Sequence, residues 1–448
     1  MTQKRTKISK DFYKKMETEA QENKINDIVR NSILNVGLDE TALDYRSKTN
    51  MQHTFSTELK TGKITYQKKS GRCWLFAGLN TMRYRIMQKL NLKNFELSQA
   101  YQMFFDKLEK ANYFLENILE TMDEKKDSRL LMWLLKMPLN DGGQWDMFTS
   151  IVQKYGVVPK ANMPETHHSS NSRKMNHILT LKLREFAAKL RKSYQNGTSV
   201  DKLRKDKKQM MQEFYRLLTL FLGFPPKKFT FEYTDKDDEF HRDADITPHE
   251  FYEKYVDLNL DDYVSVINAP TDDKPFNRTF TVQYLGNVEG GNRVKYLNVD
   301  MNTFKKLAIA QLKDGTPVWF GCDVGKKMHR KKGILDEDIY AYENVLQSEF
   351  ELDKAGRLDY GESVMTHAMV FTGVNLIDGK PNRWKVENSW GKDNGKKGYF
   401  VMSDKWFDEY TYQIVIQKKY LTEELKKAWE TEPIVLKPWD PMGSLANK

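Results

Sequence analysis

The sequence predicts an α+β protein in which helices and strands occupy different parts of the chain. Helical spacing of apolar residues prevails in the first half, and short runs rich in Val, Ile, Thr and aromatic residues follow from about residue 229. Helices first and strands later favour two segregated lobes over an alternating parallel sheet. The 448 residues include 39% hydrophobic and 12% aromatic residues, which is enough for a sizeable core.

Composition excludes several classes of protein. No window approaches 18 consecutive apolar residues, so we expect no transmembrane helix and no membrane partner. The charged start of the chain is followed by no apolar segment of the kind found in secretory signals. With only two cysteines, Cys73 and Cys322, a disulfide scaffold is excluded and a cytoplasmic location is expected.

The pattern of the first half predicts a series of helices. The spacing of Phe12, Met16 and Ile25 predicts a polar amphipathic helix, followed by an extended arm to residue 60. A short strand is expected over 63–67, and a helix begins at or near Cys73. Further helices are expected over 97–119, 128–137 and 147–155, with a glycine turn over 141–146.

A basic segment lies near the middle of the chain. Residues 171–230 hold 15 Lys or Arg and four Asp or Glu, a balance of +11 that exceeds the net charge of +10 for the whole chain. Two apolar stripes separated by Asn196-Gly197 predict a helical hairpin here. The charge is typical of a solvated helical face, and weak non-specific binding of nucleic acid is the alternative.

The second half reads as strands. The predicted strands are 229–233, 280–285, 318–320, 368–373, 384–387, 399–402 and 413–417. Three prolines (Pro433, Pro438 and Pro441) and Gly443 then favour an extended C-terminal arm over a helix.

Four polar residues form a pattern suited to nucleophilic catalysis. A cysteine at a helix start lies where peptide dipoles favour the thiolate, so Cys73 is the candidate nucleophile. His367 begins one predicted strand and Asn388 ends the next, so a hairpin would bring the imidazole to a carboxamide that orients it. Gln67 lies six residues before Cys73 and could join the Cys73 backbone N–H in an oxyanion hole.

These residues carry a family resemblance. Gln67 with Gly71-Arg-Cys-Trp74, Thr366-His-Ala368 and Asn388-Ser-Trp-Gly391 resembles the papain-type cysteine peptidases. The segments Gly71–Asn80, Asp141-Gly-Gly-Gln-Trp-Asp146 and Trp439-Asp-Pro-Met-Gly443 resemble, more narrowly, the bleomycin hydrolase/aminopeptidase C branch. The motifs extend from residue 67 to residue 443, which is nearly the whole chain.

The resemblance implies a papain-like core of a helical lobe and a β-rich lobe, with an inserted helical subdomain and a C-terminal arm. The expected divisions are an N-terminal helix and arm (1–60), the helical lobe (61–168), the insert (169–270), the β-rich lobe (271–432) and the arm (433–448). It also implies a homohexameric cysteine aminopeptidase that releases N-terminal residues from peptides through a thioester, with no metal or cofactor.

The resemblance further implies a role for each site residue. Cys73 would be the nucleophile, His367 the general acid/base, Asn388 its orienter and Gln67 the oxyanion donor. Trp390 would shield the His–Asn bond. The cleft and the substrate would be bordered by Gly142, Gly143, Ala446 and Lys448, because the arm threads into the cleft and meets the α-ammonium of the peptide.

Three departures accompany the resemblance. Ser70 occupies the place of a cysteine in the papain signature, so the neighbouring disulfide cannot form. Cys73 and His367 are 294 positions apart against about 130–150 in that signature, which implies an insertion of roughly 150 residues. The tail continues past Ala446 into Asn447-Lys448, whereas the family ending stops near the alanine, so the arm is trimmed, the exopeptidase register differs or the specificity is broader. An endopeptidase with the same triad is the alternative if the arm does not reach the cleft, and an acyltransferase that uses the same residues is a further one.

Overall fold

The computed structural model describes residues 6–447 of the chain. Its helices, labelled α1–α17 in chain order, are Lys10–Glu22, Lys24–Val36, Leu38–Ala42, Tyr45–Asn50, Cys73–Lys89, Gln99–Glu120, Arg129–Lys136, Trp145–Tyr155, His167–Ser170, Arg173–Gln195, Val200–Leu222, Pro248–Phe251, Met301–Lys313, Tyr342–Leu346, Lys354–Asp359, Asp404–Tyr410 and Glu423–Trp429. Short 3-10 turns lie at Lys160–Asn162, Leu260–Asp262, Lys418–Tyr420 and Pro441–Asn447, and a π-helical turn spans Tyr252–Val256. None of the helices within 6–447 has the length and apolar character needed to cross a bilayer.

The strands, labelled β1–β14, belong mostly to one large sheet. They are Thr57–Glu58, Phe229–Thr234, Phe240–Ile246, Tyr263–Ile267, Arg278–Val282, Tyr296–Asn298, Val318–Cys322, Met328–His329, Ile334–Leu335, His367–Ile377, Lys380–Glu387, Tyr399–Ser403, Thr411–Gln417 and Ile434–Leu436. The order across the sheet is β14-β5-β6-β4-β13-β7-β10-β11-β12-β9-β8, with β1 beside β10, while β2 and β3 form a separate hairpin.

The sheet separates two apolar cores. On one face, Trp74, Phe104 and Phe148 pack with helices α5, α6 and α8, and this core continues into the helical hairpin α10–α11. On the other face, side chains of β7, β10 and β11 pack against α13 and α16. The long helix α5, which begins at Cys73, lies against β10, which begins at His367. The candidate site therefore lies where the helical and β-rich lobes touch.

The insert packs onto the helical lobe. Helices α10 and α11 bury the expected stripes, including Leu183, Phe186, Phe214 and Leu218, and Ser199 stands at the start of α11. Tyr263–Ile267, inside the expected range of the insert, is strand β4 and pairs with β13 and β6 in the large sheet.

Three local predictions were wrong. The first amphipathic helix is two helices, because the Asn23 side chain accepts from the backbone N–H groups of Ile25 and Asn26 and so begins a new helix. Residues 63–67 form no strand and make one isolated bridge, Tyr66 to Trp390. The arm is extended only over β14 and then turns into the 3-10 segment Pro441–Asn447, which begins at a proline because proline lacks the N–H that a first turn leaves unused.

Candidate active site

Cys73 is the first residue of α5 and is 4% exposed. The preceding loop is held firmly, because Gly71 N–H donates to Asp141 Oδ2 over 2.9 Å and Trp74 Nε1 donates to the Asp141 carbonyl over 2.6 Å. The Trp74 carbonyl in turn accepts from Trp319 Nε1 of β7 at 3.3 Å. The nucleophile position is therefore tied to both lobes.

His367 and Asn388 lie together across the β10–β11 hairpin. His367 begins β10, Asn388 follows the last residue of β11, and His367 Nε2 is 2.9 Å from Asn388 Oδ1. Asn388 Oδ1 also accepts from the Ser389 N–H at 2.7 Å. Since the amide oxygen can only accept, Nε2 is the donor in this contact, and Nδ1 is the ring nitrogen suited to exchange a proton with a reacting group.

Gln67 connects the helical lobe to the segment that holds Asn388. Its backbone N–H donates to the Ser389 carbonyl at 2.8 Å, and its side-chain Oε1 accepts from Ser389 Oγ at 2.6 Å. Its Nε2 donates to the Ser70 carbonyl at 2.7 Å, at the start of the loop that leads to Cys73. The carboxamide is thus fixed at both ends, and its second N–H has no protein partner among the residues that the structure describes.

Trp390 covers the histidine. The two ring centroids lie 4.9 Å apart with a tilt of 39°, and the guanidinium of Arg330 lies 4.5 Å from the Trp390 ring. Trp390 is half-buried and packs against the core on that face of the sheet. This position suits the shielding role that the resemblance implies.

Asp141 is a site residue that the sequence reasoning missed. Besides Gly71, its carboxylate accepts from Lys107 Nζ at 2.6 Å, from Asn176 Nδ2 at 2.8 Å and from Ser172 Oγ. Burial acts to raise the pKa of Asp141, but Lys107 and the hydrogen bonds from Ser172 and Asn176 hold it well below its usual range. One ionised carboxylate therefore joins the nucleophile loop, helix α6 and the insert.

A signal for Asp141 was present in the sequence. It opens the motif 141–146, directly before the Gly142-Gly143 pair. Its partner Lys107 lies in the middle of α6, and a fully buried lysine needs an anion inside the protein.

The two glycines of that motif have different neighbours. A Cβ at Gly142 would collide with the carbonyl oxygen of Leu445 in the C-terminal tail, whereas a Cβ at Gly143 would collide with the Trp74 ring. The Gly142 carbonyl accepts from Lys110 Nζ at 2.5 Å, and burial lowers the pKa of Lys110 despite the nearby Asp106. Gly142 therefore borders the tail, and Gly143 is required by packing.

The tail lies across the cleft from one lobe to the other. Asp440 pairs with the buried Lys274 at 3.0 Å, Tyr296 Oη donates to the Met442 carbonyl at 3.1 Å, and Ser444 Oγ donates to the Met365 carbonyl at 2.8 Å. Met365 is two residues before His367. Ala446 is 4% exposed, next to Gly142, and borders a cavity between α6 and α7; Lys448 lies outside the described residues.

Comparison with known proteins places this site in a family. The sequence profile of the Peptidase C1-like family matches residues 7–443, almost the entire chain. The chain belongs to the Peptidase C1-like family. In this family member, the papain-like arrangement predicted from the sequence is confirmed, with a helical lobe that carries Cys73 and a β-rich lobe that carries His367 and Asn388.

Similar proteins of full length include bacterial and mammalian examples. Aminopeptidase C of Listeria innocua is 52% identical over 441 residues, covering 98% of this chain and 99% of that protein. Bleomycin hydrolase of Mus musculus is 45% identical over 406 residues, covering 88% and 89%. The crystal structure of PepW from Lactobacillus rhamnosis HN001 is 51% identical with a TM-score of 0.97, covering 98% and 99%.

The described part of this Peptidase C1-like chain holds no group of side chains suited to a metal. Among residues 6–447, no three His, Cys, Asp or Glu side chains are grouped so that they could hold an ion. The chemistry that the site can perform with its own groups is acyl transfer, through a thiol, an oriented imidazole and a carboxamide donor.

Proposed function

We propose that this chain is a cysteine aminopeptidase that releases N-terminal residues from peptides through a thioester. Cys73 Sγ attacks the first peptide carbonyl, and the Gln67 carboxamide with the Cys73 backbone N–H stabilises the oxyanion. His367, oriented by Asn388 and covered by Trp390, accepts the thiol proton of Cys73, gives it to the departing amine, and then takes a proton from the water that hydrolyses the thioester. The names of relatives at about 50% identity over nearly the whole chain support this activity.

The position of the tail is the observation that favours removal of single N-terminal residues. Leu445 and Ala446 lie against Gly142, and Ser444 Oγ donates to the carbonyl of Met365, two residues before His367. We infer that this part of the tail limits how far a peptide can extend past the residue to be released. A carboxylate at the end of this tail would pair with the α-ammonium of the substrate.

A matched pair of peptides tests the proposal. A free peptide and its N-acetylated form, of the same sequence, differ only in the positive charge and one small group at the N-terminus. We expect turnover of the free peptide and refusal of the blocked one. Equal turnover of both would indicate the endopeptidase alternative, and a transferred product with added amines would indicate the acyltransferase.

We also propose that the chain assembles into a homohexamer whose sites face an inner chamber, and that it works in the cytoplasm. Several large apolar side chains of α1 and α2 are exposed, among them Phe12, Ile28 and Leu34. An exposed apolar patch of this kind is typical of a surface that a second copy of the chain covers. Sedimentation equilibrium tests the hexamer, and a monomer at micromolar concentration would contradict it. Intact mass of the purified protein tests whether Lys448 is retained.

Weak nucleic-acid binding by the insert stays a prediction with little support. Several cations there are paired with carboxylates, including Lys182 with Glu213 and Lys207 with Glu116. The rings of Phe186 and Phe214 are buried, so no stack of bases would use them. Binding of single-stranded DNA that disappears steeply with salt would support it, and its absence at low salt would remove it.

A further inference from the structure

An open groove lies beside the nucleophile loop, on the side where the insert begins. It has a volume of about 460 Å³ and is lined by Lys68, Lys69, Ser70, Gly71, Asp141, Ser172, Arg173 and Asn176. Gly71 is two residues from Cys73, and two residues of chain span at most about 7 Å. The groove is therefore within side-chain reach of a substrate carbonyl held at Cys73.

The wall of the groove is held in place by contacts between the loop and the insert. The Lys69 N–H donates to the Ser170 carbonyl at 2.9 Å, and Lys69 forms a bridge with Asn171. Below them, Ser172 and Asn176 donate to the Asp141 carboxylate. The groove is therefore held in a fixed shape where the loop before Cys73 (residues 68–72, the nucleophile loop) packs against the start of α10.

Three cations border this groove without a carboxylate partner. Lys68, Lys69 and Arg173 are exposed, and within residues 6–447 no Asp or Glu oxygen lies within 4.0 Å of any of their charged nitrogens. Lys68 Nζ lies 3.9 Å from the centroid of the Tyr66 ring, which leaves its charge intact. This is where the basic segment of the sequence reaches the candidate site.

Two carboxylates near the groove, Asp141 and Glu165, are each paired with a buried cation. Asp141 accepts four hydrogen bonds and pairs with the buried Lys107. Glu165 pairs with both terminal nitrogens of the buried Arg72, at 3.1 and 2.8 Å, and this pairing lowers the pKa of Glu165 against the effect of its burial. Neither offsets the three cations, so the groove is electropositive.

Resting on the proposed aminopeptidase function, we infer that this groove receives the side chain of the N-terminal residue and favours an acidic one. With the scissile carbonyl at Cys73 and the α-ammonium at the tail, the side chain of that residue is the part of the substrate that can reach the groove. A Glu or Asp carboxylate there meets Lys68, Lys69 and Arg173. A Lys side chain in the same place is repelled.

The test compares three peptides that differ only in the first residue, Glu, Gln or Lys, on the full-length protein. Glu and Gln have the same shape, so their ratio of kcat/KM isolates charge. One cation about 6 Å from a carboxylate in water changes affinity about threefold, and we expect Glu to exceed Gln roughly tenfold at low salt. The ratio should fall towards one in 1 M NaCl, where the Debye length is about 3 Å.

Matched variants locate the effect. Arg173→Glu should reduce the Glu-to-Gln ratio at least about threefold and raise the relative rate for Lys. Lys174→Glu is the control, because Lys174 is the next residue on α10, is exposed, and does not line the groove, so the same change of net charge should leave the ratio unaltered. Lys69→Glu provides a second variant if Arg173→Glu does not fold.

The outcomes separate the two proposals. Turnover of all three peptides with equal kcat/KM for Glu and Gln overturns the inference and leaves the aminopeptidase function standing. A preference for Glu that Lys174→Glu reduces as much as Arg173→Glu also overturns it, because the effect would then be one of overall charge. No turnover of any free peptide overturns the proposed function, and the inference with it.

Discussion

The Ser389 hydroxyl donates to Gln67 Oε1 over 2.6 Å, and both residues are buried. This bond joins the residue after Asn388 to the proposed oxyanion donor, so it links the β-rich lobe to the loop before Cys73. It fixes the orientation of the carboxamide, with Oε1 on Ser389 and Nε2 on the Ser70 carbonyl, three residues before Cys73. A carboxamide free to rotate would present its oxygen to the oxyanion part of the time, and the two would repel.

Ser389→Ala is therefore expected to lower kcat more than KM. Loss of one neutral hydrogen bond corresponds to about 1 kcal/mol, or roughly fivefold in rate. Gln67→Ala, which removes the donor itself, should cost about 10²–10³-fold. Steady-state kinetics with a free peptide checks both. The melting temperature of Ser389→Ala is the control for folding. If it matches the wild type and kcat is unchanged, the Ser389 hydrogen bond is not needed to orient Gln67.

Cys73→Ser should abolish turnover without loss of the fold. The hydroxyl fills the same space at the start of α5, but a serine beside His367 is far less ionised than a thiol. We expect less than about a hundredth of wild-type kcat, with an unchanged circular dichroism spectrum. Cys322→Ser is the matched control on the other buried cysteine. Activity of Cys73→Ser above that level would argue against this nucleophile.

Removal of residues 441–448 should change the enzyme from an exopeptidase towards an endopeptidase. The deletion takes away Leu445 and Ala446, which border Gly142, together with the chain terminus. Losing a charge-assisted contact to the α-ammonium corresponds to about 1.5–3 kcal/mol, so kcat/KM for free peptides should fall roughly 10- to 100-fold. N-acetylated peptides should become substrates.

A point substitution provides a check on the deletion, which also exposes apolar surface. Ser444→Ala removes only the bond to the Met365 carbonyl and should shift the ratio of blocked to free turnover in the same direction, by a smaller factor. If the truncated protein folds and still refuses blocked peptides, the tail does not set the register.

Gly142→Ala should push the C-terminal tail away from Gly142. The added Cβ would collide with the Leu445 carbonyl oxygen and come close to Ala446, and both are backbone atoms that cannot rotate away. We expect the ratio of blocked to free turnover to rise. Gly325→Ala is the control, because a Cβ at Gly325 meets nothing within 4 Å and its backbone φ is not positive. A Gly142→Ala enzyme with the wild-type ratio would contradict the assigned path of the tail.

Asp146→Asn should stabilise the protein at neutral pH and change the pH dependence of its stability. Burial raises the pKa of Asp146 to about 7, against the hydrogen bonds from the Lys295 backbone and the Ser265 side chain, whereas the unfolded chain titrates near 3.8. Between these values the folded state holds a proton that the unfolded state has lost, so stability falls as pH rises, by about 1.4 kcal/mol per pH unit.

The measurement is the free energy of unfolding in urea at pH 4, 5.5, 7 and 8.5. The difference between Asp146→Asn and wild type should be small at pH 4, grow in favour of the variant up to about pH 7, and then stay level. Asp11→Asn, in the exposed first turn of α1, is the control for the loss of a carboxylate. A difference that does not change with pH would show that Asp146 is ionised in the fold.

Much of the fold was predictable because local patterns agreed with the tertiary arrangement. Cys73 was expected near a helix start and is the first residue of α5, and seven predicted strands overlap β2, β5, β7, β10, β11, β12 and β13. Those runs are rich in residues that fit a pleated, buried surface. Residues 63–67 have a similar composition but lie at the lobe interface, where Tyr66 finds a single bridge partner.

The candidate site was predictable in part. Gln67, Cys73, His367 and Asn388 could be identified because the chemistry needs these residue types in this order, and the resemblance assigned them. Asp141, Lys107 and Ser389 could not, because each acts through a partner that is distant in the chain. Their partners are 70, 34 and 322 positions away, respectively.

Residue type and spacing were enough to predict most of the helices and strands, the family and four candidate catalytic residues, because these features depend on local chemistry and order in the chain. The three-dimensional arrangement was needed to show that the tail turns beside Gly142, that one carboxylate joins the loop before Cys73 to the insert, and that Lys68 and Lys69 of that loop meet Arg173 of the basic segment at one groove. The reason is physical: a charge or a glycine has a definite role only once its neighbours in space are known.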